Sequence, residues 1–124
     1  MTQFSAQISV QVQFLEEQSS AEQGQYHFAY TLSIKNDGEV PFQLIAREWL
    51  ITDSDGNTQQ IKGLGVVGQQ PLLKGGQAFE YTSWATIPTP LGSMRGTYFC
   101  ISEEAEMFEV PIPEFSLTMP RILH

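Results

Sequence analysis

Few residues in this chain have the types and spacing to do chemistry. Gly63-Leu64-Gly65-Val66-Val67-Gly68 spells GxGxxG. In a dinucleotide-binding fold such glycines bring the backbone onto a pyrophosphate at a helix N-terminus. The surroundings here do not fit. Gln69-Gln70-Pro71 leads into Leu72, Leu73, Lys74, Gly75 and Gly76 with no helical period. The position about 20 residues beyond Gly68, where an acid would hold a ribose, is Pro88. A weaker use remains. Consecutive amides of a glycine-rich turn form an anion nest, and Lys62 stands directly before this one. Lys62, Gly63, Gly65 and Gly68 are therefore the candidate phosphate ligands. The simpler alternative is a tight bend between strands.

The other constellations offer less. Asp53-Ser54-Asp55-Gly56-Asn57 has the look of a calcium loop, but its glycine comes too early. The position that should carry the closing glutamate is Leu64, so a solvated hairpin turn is expected. His27 and His124 are the only histidines and Cys100 the only cysteine. Their spacing matches no zinc pattern, so no metal site is expected. Nothing beside Cys100 suggests an activated thiolate, which leaves it a small buried hydrophobe; a Cys100–His27 nucleophile pair is the enzyme alternative. Glu103, Glu104, Glu106 and Glu109 read as a charged rim at a turn. Trp84 opposes Phe79 and Tyr81 in strand parity, so it is expected outside the core, where aromatics anchor partners. Trp84 is the candidate partner-binding residue.

The elements that must position these residues are strands. Ile8, Val10, Val12 and Phe14 alternate with Ser9, Gln11 and Gln13, which is the period of a half-buried strand. Tyr26, Phe28, Tyr30, Leu32 and Ile34 alternate in the same way through Lys35. Asn36-Asp37-Gly38 then predicts a tight hairpin. Phe42–Thr52 is apolar, but Phe42 and Leu44 have one parity and Trp49 and Ile51 the other. A bulge near Ala46–Glu48 explains the slip, with a short helix over Ala46–Ile51 as the competing reading. Thr58–Lys62 is a short return strand, and Gly63–Gly76 an irregular loop. Ala78–Trp84 is a strand, and Pro88 and Pro90 mark Ile87–Gly92 as a connection. Arg95–Ile101 and Met107–Ile112 are strands, the latter extendable through Glu114–Met119.

Seven to eight strands, with turn signals about every 8–12 residues and no secure helix, predict an all-β antiparallel β-sandwich. The 124 residues suit one domain, 1–124, large enough to fold without a metal or disulfide. A formal net charge of −8 with scattered basic residues argues against nucleic acid and acidic membranes. The first ten residues carry no signal-peptide pattern, and no apolar run is long enough to span a bilayer. With a single cysteine this points to the cytoplasm.

Several stretches resemble the ApaG family. They are Tyr26-His27-Phe28-Ala29-Tyr30-Thr31 with Ile34-Lys35-Asn36, Arg47-Glu48-Trp49-Leu50-Ile51-Thr52-Asp53, the glycine hexad with Gln70-Pro71, Phe79-Glu80-Tyr81-Thr82-Ser83, Thr89-Pro90-Leu91-Gly92-Ser93-Met94-Arg95-Gly96, and Phe108-Glu109-Val110-Pro111-Ile112-Pro113. They run in order along almost the whole chain. The resemblance implies a fold like fibronectin type III or immunoglobulin domains. It also implies an association with cobalt and magnesium resistance, and protein-interaction roles like those of similar domains in F-box proteins and in a polymerase-binding protein. Pyrophosphate binding has been proposed for the family's glycine motif; this chain departs from the usual pattern by carrying Leu64 at a position that is often polar.

The expected function is thus a non-catalytic binding module for an unknown protein partner, with no cofactor and an indirect link to cation resistance. The alternative is phosphate, pyrophosphate or nucleotide binding through residues 63–68. An exposed strand edge pairing across a two-fold axis makes a homodimer a further expectation.

Overall fold

The structure, a computed structural model, describes residues 4–120. His124 and Arg121 lie outside the described residues. Eight strands form two sheets: β1 (Ala6–Phe14), β2 (Tyr26–Asn36), β3 (Phe42–Asp53), β4 (Thr58–Leu64), β5 (Leu72–Leu73), β6 (Ala78–Ile87), β7 (Leu91–Ser102) and β8 (Met107–Thr118). The three-stranded sheet runs β1-β2-β6. The five-stranded sheet runs β4-β3-β7-β8, with β5 on the start of β3. Every pairing is antiparallel. The predicted β-sandwich is the observed architecture, and a 3₁₀ turn at Glu16–Gln18 is the only helical element among the described residues.

The core forms where the two alternating patterns meet. Phe28, Leu32 and Ile34 of β2 face Phe42, Leu44, Trp49 and Tyr98 of the five-stranded sheet, all buried. Each such side chain contributes about 1.5–3 kcal/mol by leaving water. Trp49 packs edge-on against Tyr30 and Phe115. The phase slip in β3 is a bulge, and β3 is extended throughout, not helical. The extra residue is Ile45, where the register to β7 shifts between Leu44 and Ala46, just before the expected place. It turns Phe42 and Leu44, then Trp49 and Ile51, all inward.

Two expectations need correction. Asn36-Asp37-Gly38 is not a hairpin, because β2 and β3 belong to different sheets. The buried Asn36 side chain donates to Val40 O and Leu73 O, both at 2.9 Å, and accepts from Gly38 N at 2.9 Å. That amide pins the chain as it crosses between layers. The segment 63–76 is also more regular than predicted. Gly63 and Leu64 continue β4 opposite Arg47 and Ala46, and Leu72–Leu73 pairs with Gln43 and Phe42. Elsewhere β6 runs on to Ile87 and β7 already starts at Leu91, which shortens the expected Ile87–Gly92 connection, and β8 takes the expected extension, through Thr118.

Candidate functional site

The glycine hexad begins as strand and ends as a two-residue turn. Val66 N donates to Gln69 O at 2.8 Å and Gln69 N returns to Val66 O at 2.9 Å. Val67 and Gly68 between them have φ of 44° and 80°, the left-handed pair of a type I′ hairpin. Gly65 is also left-handed, at φ 64°, and its amide donates to Ile45 O at 2.7 Å. A Cβ on Gly65 would stand 2.3 Å from Gln69 O. The amides of Gly65, Val66 and Gln69 are therefore spent inside the protein, where a nest would aim them together at an anion.

Arg47 accounts for the first glycine. It shares strand parity with Trp49 and Ile51, so it projects to the inner face. Its Nη1 donates to Leu64 O at 3.2 Å and Gly65 O at 2.9 Å. A Cβ on Gly63 would meet that guanidinium nitrogen at 2.7 Å. Lys62 is exposed on the opposite face. The loop thus offers carbonyls to a cation of its own chain. Sequence reading passed over this Arg47–glycine pairing, although the i, i+2 spacing Arg47/Trp49/Ile51 was the signal that placed it inside.

Beside Arg47, the hydroxyls of Tyr81 and Tyr98 meet at 2.6 Å. One belongs to each sheet, so the bond clips the two layers together. Burial pushes both phenols above their usual range, and Tyr30 with them. Burial also pushes the Cys100 thiol up to about 12. Cys100 lies within the core, whereas His27 sits on the outer face of the three-stranded sheet, its Nδ1 2.6 Å from Thr86 Oγ1. The nucleophile-pair alternative therefore has its two members on different layers. Among the described residues no three His, Cys, Asp or Glu side chains converge as metal ligands. Asp53-Ser54-Asp55-Gly56-Asn57 is the expected hairpin turn: Asp53 Oδ1 accepts from Asp55 N at 2.9 Å and Asn57 N at 3.1 Å.

The two outer faces differ. Trp84 is outside, as its parity requires, and 64% exposed. It stands opposite Ala29 on a face otherwise built from residues such as Thr31, Thr82 and Lys35. The outer face of the five-stranded sheet holds a wide depression lined by Ile45, Ala46, Phe99, Ile101 and Met107, and Phe108 beneath it turns inward onto Phe42. Met107 at its rim is 83% exposed, and Leu64, paired with Ala46, is 76% exposed. Glu109 borders it. The β7–β8 turn carrying Glu103, Glu104 and Glu106 leads straight into Met107, held by Ser102 Oγ accepting from Glu104 N and Glu106 N. Sequence reading missed this patch. Its residues come from three strands, and the Ile45 bulge that turns Ala46 outward is invisible to simple alternation.

The family model described as ApaG domain matches residues 16–102. The protein ApaG of Ralstonia nicotianae is 56% identical over 124 residues, covering all of both chains. The protein ApaG of Bordetella pertussis is 56% identical over 117 residues, 94% of this chain and 89% of that one. A crystal structure of a Bordetella pertussis protein described as ApaA superposes with a TM-score of 0.93 at 53% identity, covering 96% of this chain and 97% of that one.

Proposed function

Because this chain belongs to the ApaG family, we propose that it is a non-catalytic binding module that engages a protein partner through the outer face of its five-stranded sheet. The observation that carries this is the apolar depression around Phe99, Ile101 and Met107 with its acidic border. Exposed apolar surface rimmed by charge is how soluble domains hold partners. Glutamates at the rim and a net charge of −8 select a segment that combines apolar anchors with Lys or Arg. We read the strand order, β1-β2-β6 against β4-β3-β7-β8, as that of a domain like the immunoglobulin and fibronectin type III sandwiches, which bind through faces, edges and loops. The link to cobalt and magnesium resistance is then indirect, through the partner, and the site of action cytoplasmic.

Phosphate binding at Lys62, Gly63, Gly65 and Gly68 has less support, since three amides of that turn and the Arg47 guanidinium are already engaged. Peptide display against the immobilised protein tests the reading. Recovered peptides should carry apolar anchors with basic residues and lose at least roughly tenfold in affinity, about 1.4 kcal/mol, against Ile101→Glu. Peptides indifferent to Ile101→Glu and sensitive to Trp84→Ala would overturn it.

A further inference from the structure

Four long strands end the two sheets, and three of them are guarded. β4 carries Lys62, β6 carries Glu80, and β8 carries Glu109, Glu114, Pro111 and Pro113. Charges and prolines on edge strands prevent pairing with other chains. β1 has neither. Its nine residues, Ala6 to Phe14, are Ala, Gln, Ile, Ser, Val, Gln, Val, Gln and Phe. One side pairs with β2 along its whole length, and no described strand pairs with the other.

We propose that β1 is a homodimer interface, in which two copies pair β1 against β1, antiparallel, across a two-fold axis at Val10. The strand's own sequence argues for a second copy as the occupant. With Val10 opposite Val10, the pairs are Ile8 with Val12, Ala6 with Phe14, Ser9 with Gln11 and Gln7 with Gln13. Apolar meets apolar on the inner side, and amide or hydroxyl meets amide on the outer side. No charge opposes its like, although each chain carries −8. Val12, on the inner side by parity yet 36% exposed, gains the partner's Ile8 as a cross-strand neighbour. The three-stranded sheets join into one continuous sheet, and both copies leave their five-stranded faces open.

Sedimentation equilibrium tests this, with the variant Ser9→Lys/Gln11→Lys and its counterpart Ser9→Glu/Gln11→Glu. Both positions are exposed, so each variant should keep the wild-type circular dichroism. The wild type should dimerise up to millimolar concentration, and more tightly in high salt, which screens the net charges. Each variant alone should be monomeric at the same concentrations, and an equimolar mixture should dimerise again as lysines face glutamates. A monomeric wild type at millimolar concentration, or a dimer that survives in the lysine variant, would overturn the proposal.

Discussion

The guanidinium of Arg47 occupies the space that a side chain at Gly63 would need. A Cβ there would lie 2.7 Å from Nη1, the nitrogen that caps the carbonyls of Leu64 and Gly65. The first glycine of the hexad thus serves an arginine of the neighbouring strand. Gly63→Ala should displace Arg47 and cost at most about 1.5–3 kcal/mol, the usual worth of hydrogen bonds to a charged donor, since the guanidinium ends a flexible side chain that can swing aside. Gly65→Ala should cost more, because the obstacle is backbone: Gln69 O at 2.3 Å, with φ at 64°. Urea unfolding of the two variants checks the order.

Val67 is a β-branched residue at φ 44° in the first position of a type I′ turn, where asparagine is preferred. Val67→Asn should stabilise the protein by about 1 kcal/mol. A raised denaturation midpoint with an unchanged slope is the expected readout.

The Tyr81–Tyr98 hydroxyl pair joins the sheets at 2.6 Å. Tyr98→Phe strands the buried Tyr81 hydroxyl and should cost about 1–3 kcal/mol, as should Tyr81→Phe. The double variant leaves nothing unpaired, so it should cost clearly less than the two single losses together. A double-mutant cycle in urea measures the difference.

Burial raises the Cys100 thiol from 9.0 to about 12. The unfolded chain therefore releases this proton first as pH rises. The thiol's contribution to stability is complete below pH 9.0 and lost as pH climbs toward 12. Tyr30, Tyr81 and Tyr98, also raised by burial, fade in the same direction above their usual 10.0. Unfolding free energies across this range should fall steadily, and Cys100→Ala should flatten the early part of the fall while leaving the tyrosine part.

Alternation made most of the fold legible. β1, β2 and β6 each keep one parity, and β8 does so as far as Ile112, beyond which its register with β7 shifts and Phe115 and Leu117 turn inward on the other parity; Phe28, Leu32, Tyr81 and Val110 could thus be assigned to the core from sequence. The slip between Leu44 and Trp49 announced a bulge and located it to within a few residues. Topology was less accessible. Asp37-Gly38 has the composition of a hairpin turn, and only the strand pairing reveals that the chain changes sheets there, with Asn36 bonded three ways at the crossing. The glycine hexad could be separated from a nucleotide fold by the missing helix, but not assigned to Arg47, whose partners lie 17 and 18 residues away. Trp84 drew attention because it is large and outward. The apolar surface on the other sheet did not, because Phe99, Ile101 and Met107 acquire their neighbours Ile45 and Ala46 only through the register of β3 with β7.

The central claim is that the five-stranded face is the binding surface. The most direct measurement is an amide chemical-shift map of the protein titrated with a display-selected peptide, alongside a separate titration with pyrophosphate. The account predicts peptide-dependent shifts concentrated at Ala46, Phe99, Ile101 and Met107, and still glycine-loop amides at millimolar pyrophosphate. Shifts concentrated at Ala29 and Trp84, or pyrophosphate-dependent movement of Gly65 and Gly68, would contradict it.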